Sequence, residues 1–539
     1  MSKVASYLRG HLSGEVSTRP DLLAALSTDA GVLSLKPELV IYPRTTNDIR
    51  KVARFSWQLA EKGHALSITA RGAGTDVNGS AIGRGIMLVL PGHMRRVYEF
   101  DPKQRLIRLQ PGASVDSVAQ ALSLQGQHIP ALFGSEGNGT VGGALASGVV
   151  GPLAGKYGPI IRAVDQLEVV LANGDIIQTG RVSKRELGKL KGTQGFIGDI
   201  YRGIDTILEE NADLLDTLRS DDATGYNSVA DVKQSDGSFD LTPLFIGSQG
   251  TLGIISEMIM KSEPKGDHYA IGAYVYEKTD EARDAFDELC RLDPAFIDYF
   301  DAELFETAAD GGKQYEFYAK ASESFRPAAV ILMGFDDTSD RQRAKHLKKL
   351  RKIAEKTGTY LATASNDDAD EMLGARNVTF YTQVPDKADH AAPAIFGGFQ
   401  VPGQRFEDFY NSLQALSDRL KIALPLSGHV YTGVYTVYPS FDLKKVGDKQ
   451  KLFKLLDELS QLVLKHGGAM ISEGGEGRLK AKFIYPHLDP RLVEMYSAIR
   501  KVFDPRGIFN QGVKEQEDVR KLAEIMRSST DSGRSHLFG

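Results

Sequence analysis

Arg71-Gly72-Ala73-Gly74-Thr75-Asp76-Val77-Asn78-Gly79-Ser80 is the stretch on which the reading of this chain turns. Before it stands Leu66-Ser67-Ile68-Thr69 and beyond it Ile86-Met87-Leu88-Val89-Leu90, and both runs read as strands. A dinucleotide turn needs glycines at three set spacings with a helix directly behind them. Here the third glycine is displaced and a strand follows, so the loop is not of that kind. A glycine-rich loop between two strands can instead aim successive backbone N–H groups at one anion. Thr75 and Ser80 add hydroxyl donors. A bound pyrophosphate is the natural guest, and a plain surface loop is the alternative.

Two further clusters lie downstream. The first runs Gly134-Ser135, Gly139-Thr140-Val141-Gly142-Gly143 and Ser147-Gly148; the second is Phe245-Ile246-Gly247-Ser248-Gln249-Gly250-Thr251-Leu252-Gly253-Ile254-Ile255. Each alone could serve packing, because glycine lets elements approach closely. Together they offer three small-residue surfaces to one long, flat, phosphate-bearing ligand. The uncharged stretch Gly137–Gly155 has about the length of a membrane span. It is too rich in glycine and too poor in bulky apolar residues to insert.

Composition bounds the rest. At roughly 150 residues per domain, 539 residues allow three to four domain-sized units. Apolar usage of 42% and charged usage of 25% are those of a globular protein and exclude disorder as the main theme. The net charge of −5 leaves no basic excess for a nucleic-acid footprint. The single cysteine, Cys290, excludes intrachain disulfides and an iron–sulfur cluster held by this chain's own thiolates. It fits a reducing compartment. Met1–Pro20 has no apolar signal core, so the expected location is cytoplasmic, with peripheral contact to the inner face of the membrane left open.

Along the chain, Thr46 can cap a helix to about Lys62, and Ser114 one to Gln125. Asn173-Gly174 signals a tight hairpin. Three strand-then-helix units begin at His268, Ala328 and Ala394, an α+β pattern over roughly 265–465. Asp489-Pro490 starts a helix to Phe503.

These motifs carry a resemblance. RGAGTDVNGS (71–80), GTVGGALASGVVGPLAGKYG (139–158), LEVVLANGDIIQTG (167–180), LFIGSQGTLGIISE (244–257) and FDPRGIFNQG (503–512) resemble the FAD-linked oxidases of the vanillyl-alcohol-oxidase (PCMH) type. The branch is that of D-lactate dehydrogenases, the glycolate oxidase FAD subunit and D-2-hydroxyglutarate dehydrogenases. The resemblance implies an α+β fold. It divides the chain into an N-terminal segment 1–37, an FAD-binding domain 38–264, a substrate cap 265–470, a C-terminal segment 471–514 that completes the flavin site, and a polar tail 515–539. Arg71, Gly72, Ala73, Gly74, Thr75, Asp76 and Val77 would wrap the pyrophosphate, with Gly79 and Ser80 beside them. Ser135, Thr140, Gly143, Ser147 and Gly148 would line the flavin path, Ile255 would meet the adenine side, and Asn510 belongs to the closing motif. Some relatives bind FAD covalently through a histidine in the phosphate loop; Thr75 stands near that place, so noncovalent FAD is expected.

On the substrate side, Arg376 resembles the arginine that holds a carboxylate, and His429 the first histidine of a metal motif. The second histidine would fall at 436, where the chain has Thr436. Glu473 resembles the third ligand, but the catalytic histidine expected after it is Gly474. No catalytic metal is therefore expected. His429 and Glu473 could act as a hydrogen-bonded pair. Tyr431, Tyr435 and Tyr438 are read as sharing one face of a strand, with Tyr435 as donor or base. The implied activity is dehydrogenation of a D-2-hydroxy acid by hydride transfer to flavin. The electron acceptor would be a quinone, a cytochrome or a separate iron–sulfur chain. The alternatives are oxidation of another alcohol, such as a sugar derivative, and a non-catalytic electron-transfer flavoprotein.

Overall fold

The computed structural model describes residues 2–133, 139–266, 268–337, 339–365, 368–382, 390–391 and 394–527. Its first layer is a four-stranded sheet in the order Glu15–Ser17, Leu39–Tyr42, Ile86–Val89, Ile68–Arg71. The last three strands run parallel. Every residue of Ile86–Val89 is buried, as a parallel strand covered on both faces requires. The helix Thr46–Glu61 covers one face with Ile49, Val52 and Ala53; its cap is Thr45, whose side chain accepts from the Asp48 amide. That moves the expected start by one residue, because Thr45 holds the extended conformation a cap needs.

A five-stranded antiparallel sheet follows, in the order Val97–Asp101, Leu106–Leu109, Ile254–Lys261, Val164–Val170, Ile176–Gln178. Its last pair is the hairpin expected at Asn173-Gly174, with Gly174 at φ +84°.

The cap is built on a seven-stranded sheet, all of its pairings antiparallel: Tyr360–Ser365, Ala270–Tyr276, Ala329–Phe335, Phe296–Asp301, Leu426–His429, Val434–Val437, Gly397–Gln400. Three adjacent inner strands, Ala270–Tyr276, Ala329–Phe335 and Phe296–Asp301, are buried throughout. Alternation divides their side chains between two cores. Ile271, Ala273, Val275, Phe300, Val330 and Leu332 pack with Leu304, Phe305 and Met372. Tyr274, Tyr299, Ile331 and Met333 pack on the other face with Leu347 and Leu350 of Asp340–Thr357 and with Phe406 and Tyr410 of Phe406–Leu420. Gly272 makes room there, since a Cβ would come within 2.4 Å of Leu350.

The chain then returns to the first layer. Phe509 bridges Ile68 in parallel, and the Asn510 amide donates to the Ile68 carbonyl at 2.8 Å. The buried pair Lys514–Glu476 fastens the same return. The helix Pro490–Phe503 begins at Asp489 as expected. Among the described residues, no helix is long and apolar enough to cross a membrane.

Candidate functional site

The strand Ile68–Arg71 ends in the glycine-rich loop, which borders a cavity of about 360 Å³. Gly72, Ala73, Gly74, Thr75, Asp76, Val77 and Ser80 line it, together with Thr140, Gly143, Ser147 and Ile255. No described residue accepts a hydrogen bond from the backbone amides of Gly72, Ala73, Gly74 and Thr75. Four successive free amides on a cavity wall suit an anion. Gly74 holds φ +78°, a conformation that few side-chain-bearing residues adopt.

Other expected residues stand behind this wall. Arg71 folds beneath the loop, donating to the Ala81 carbonyl at 3.1 Å, and a Cβ on Gly74 would lie 2.2 Å from its guanidinium. Gly79 packs on Leu33 and Arg478, and Gly148 on Gly247. Asn510 uses its whole side chain as a bracket. Its oxygen accepts from Thr69 (3.0 Å) and Arg478 (3.2 Å), while its nitrogen donates to the carbonyls of Ser80 (2.9 Å) and Gln249 (2.7 Å). These four residues are thus corrected from wall to support. Ser135 lies outside the described residues.

A second cavity, about 410 Å³, shares Val77, Asn78, Ser147, Val149 and Gly474 with the first and extends toward the cap sheet. Asn78 stands where they meet. Its nitrogen donates to the carbonyls of Gly475 (3.1 Å) and Gly474 (3.4 Å), which fixes the amide's orientation. Its oxygen is buried without a partner, an acceptor waiting for a donor on a ligand. The free amides at one end and this orphaned acceptor at the junction fit an FAD lying through both cavities.

The second cavity gathers Asp298, Arg376, His429 and Glu473. Asp298 and His429 are direct cross-strand neighbours. Asp298 Oδ1 lies 2.6 Å from His429 Nδ1, and Oδ2 accepts from Arg376 Nε at 2.7 Å. Burial pushes the Asp298 pKa up, but the charges of Arg376 and His429 outweigh it and hold it below its usual value. An ionised carboxylate only accepts, so Nδ1 carries a proton toward Asp298, and in the neutral imidazole Nε2 is the ring's acceptor. The Arg376 guanidinium is flanked by the rings of Phe133 and Phe296, at 4.7 and 4.8 Å from their centres. Such flanking fixes the plane of its fork.

Three expectations are corrected. His429 pairs with Asp298, not with Glu473, whose carboxylate accepts from the Val150 and Gly151 amides at 2.9 and 3.4 Å. Tyr435 lies in the core, 1% exposed and stacked on Phe406 with ring centres 4.5 Å apart. Positions 435 and 438 have opposite parity, so Tyr438, not Tyr435, borders the cavity, where its phenol accepts from Ser427 Oγ at 3.2 Å. Burial raises the Tyr438 pKa and keeps the phenol protonated. Tyr431 is turned elsewhere, donating to the Cys290 carbonyl at 3.0 Å.

The donors expected of a metal site do not converge. Glu473 Oε2 is occupied by backbone amides and Thr436 offers only a neutral hydroxyl packed against Gly397, which leaves His429 Nε2 without described imidazole or carboxylate partners grouped around it. Among the described residues, no three His, Cys, Asp or Glu side chains are grouped to hold an ion. A metal of the kind its resemblance suggests does not fit these residues.

Sequence reasoning missed Asn78, Asp298 and the buried Lys480, all on the cavity wall. An acid within the apolar strand Phe296–Asp301 was the available signal for Asp298.

This architecture is that of an FAD-linked oxidoreductase. Residues 37–180 match the FAD binding domain, and residues 267–513 match the C-terminal domain of FAD linked oxidases, so the chain belongs with the enzymes that combine these two domains. The glycolate oxidase subunit GlcD of Bacillus subtilis is 25% identical over 490 residues, covering 90% of each chain. The D-lactate dehydrogenase of Anaerostipes hadrus is 23% identical, covering 88% of this chain and 89% of the other. The D-2-hydroxyglutarate dehydrogenase of Escherichia coli is 24% identical over 93% of this chain, which spans 50% of that relative's length. Among solved structures, 4-ethylphenol oxidase from Gulosibacter chungangensis superposes with a TM-score of 0.68 at 16% identity, covering 96% of this chain and 98% of that one. For p-cresol methylhydroxylase the values are 0.66 and 15%, covering 96% and 97%. At those identities the two structures speak for the fold alone.

Proposed function

We propose that the protein dehydrogenates a 2-hydroxy acid with noncovalently bound FAD as hydride acceptor. The observation that carries this reading is Asp298, which holds an arginine and a histidine on one cavity wall, beside a junction that fits the flavin. Arg376 spends Nε on Asp298 and keeps its terminal nitrogens for a substrate carboxylate. His429 Nε2 takes the hydroxyl proton, and Asp298 stabilises the imidazolium that results. Tyr438 and Thr436 line the same space as hydroxyl groups able to orient the substrate oxygen. Bound FAD supplies the acceptor for the hydride. Thr75 offers no imidazole for a covalent link, so the cofactor should leave on acid precipitation.

The names of the relatives support a D-2-hydroxy acid of the lactate or 2-hydroxyglutarate type, or the achiral glycolate. Reoxidation falls to a separate acceptor, since these 539 residues, with Cys290 as their one cysteine, hold no thiolate set for an iron–sulfur relay. The test is anaerobic mixing of the yellow protein with a panel of 2-hydroxy acids, simple alcohols and sugar derivatives. Bleaching of the flavin by hydroxy acids supports the reading. Bleaching by alcohols that lack a carboxylate, or by none of the panel, overturns it.

A further inference from the structure

Two pieces of chain that lie outside both matched domains, residues 28–34 and 519–527, meet directly behind the phosphate loop. The Ala30 amide donates to the Asp76 carbonyl at 2.9 Å. Gly31 lies so close on the loop that a Cβ there would collide with the Val77 carbonyl oxygen, and a Cβ on Gly79 would come within 3.0 Å of Leu33. One side of this segment thus backs positions 76–79, and its other side receives the end of the chain. Leu33 and Met526 form an antiparallel bridge. The Arg527 amide donates to the Val32 carbonyl, and the Ser34 amide to the Ile525 carbonyl, both at 2.8 Å. Arg527 Nη1 adds a bond to the Gly31 carbonyl at 3.1 Å. Leu522 and Met526 are buried in the same core as Val32, Leu33 and Ile82.

Neither piece is held by itself. The helix Val519–Glu524 has six residues, too few to persist alone in water. Residues 28–34 lie in no helix and in no strand of the sheets. Each piece therefore takes its order from the other and from the loop between them and the cavity. The loop in turn presents four successive free amides, which repel one another until an anion fills them. We propose that residues 519–527 are a clamp on the cofactor loop. Docked through residues 30–34, they hold positions 76–79 in the shape that binds the FAD pyrophosphate, and bound FAD holds them docked. This rests on the FAD reading above. Such coupling is reciprocal: the factor that docking adds to FAD affinity is the factor that FAD adds to docking. Thr75 offers no imidazole for a covalent link, so retention of the cofactor falls to contacts of this kind.

The test begins with the wild-type chain, stripped of flavin and then given FAD back. Hydrogen exchange is followed at the Ser34 and Arg527 amides, with the cap strand Ala329–Phe335 as reference. Exchange at the two amides should slow about tenfold when FAD returns, the scale of a typical coupling between sites, while the reference stays as it was. Equal rates with and without FAD overturn the proposal. So does a slowing shared equally by the cap strand, which would report a general gain in stability. Leu522→Asp then puts a charge into the core beneath the tail and should undock it. Titration of the stripped variant with FAD should show a dissociation constant about tenfold higher than the parent's. The variant's Tm should fall further with FAD bound than without it. Wild-type FAD affinity with an equal fall in both Tm values would make Leu522 a plain core residue and sink the clamp. If Leu522→Asp fails to fold, the exchange rates of the wild-type chain still decide. A wild-type chain purified without FAD and unable to take it up would instead sink the FAD reading itself.

Discussion

The two cavities hold their ligands by different means. Around the first, the working groups are backbone amides, and the side chains nearby, Arg71 and Asn510 above all, keep the loop in shape. Around the second, the working groups are side chains brought together from distant parts of the chain. Arg376 lies 78 positions and His429 131 positions from the Asp298 that joins them. A backbone site is written as a local motif, because the glycines that permit it must be neighbours in sequence. A side-chain site is written in the pairing of strands, which no local motif records.

The sharpest way to break this comparison is to put a side chain into the backbone site. Gly74→Leu places a branched residue at φ +78°, with its Cβ driven against Arg71. The loop must rearrange, and near-complete loss of bound FAD is expected, with all turnover lost in consequence. Flavin absorbance per chain after purification measures it. Full occupancy in the folded variant would mean that the loop does not cradle the cofactor.

The second cavity should respond in the opposite sense, keeping FAD and losing chemistry. Asp298→Asn leaves a group of the same size but can offer the wrong hydrogen-bond partner to His429. Removing a buried carboxylate that orients a catalytic imidazole costs on the order of 10³-fold or more in rate. The expected outcome is a loss of that order in kcat with flavin content unchanged. A loss below tenfold would reduce Asp298 to a structural acid. Arg376→Lys should cost less, about 2 kcal/mol in kcat/KM, because one charge remains while the planar fork is gone. An unchanged kcat/KM on the best acid substrate would remove Arg376 from the substrate contact.

The same contrast explains what could be read from the chain in advance. The phosphate loop, the hairpin at Asn173-Gly174 and the helix after Asp489 are local, and turn and cap chemistry makes them legible. Asp298 was not. It shares a strand with a second buried acid, Asp301, on the opposite face; Asp301 merely accepts from Tyr299, Tyr410 and the Leu426 amide, at 2.6, 2.8 and 2.8 Å. Choosing between the two required knowing that Leu426–His429 pairs alongside. Lys480 reads as an ordinary surface lysine opening a helix, and only the packing of the glycine turn against Asn78 and Gln249 shows that it is enclosed. The loss of the metal pattern was visible at Thr436 and Gly474; the replacement of Glu473 by Asp298 as the partner of His429 was not.

The smallest expected effect sharpens the face assignment on which the second site depends. Tyr435 and Tyr438 were read as one aromatic face, yet one ring stacks on Phe406 in the core and the other borders the cavity. Tyr435→Phe keeps the stacked ring and removes only a hydroxyl that lies away from the cavity. The conserved ring volume predicts a stability change within about 1 kcal/mol and kcat within about twofold of the parent, since no contact with substrate is lost. Tyr438→Phe removes the phenol from the cavity and strips Ser427 Oγ of its acceptor. It should therefore lower kcat/KM several-fold, about 1 kcal/mol for one neutral hydrogen bond, with Tm nearly unchanged. Side-by-side kinetics of the two variants separate the alternatives. If Tyr435→Phe were the damaging change and Tyr438→Phe the silent one, the strand would present its other face to the substrate. Thr436 and His429 would then turn with it, and the Asp298 assembly could not be the site.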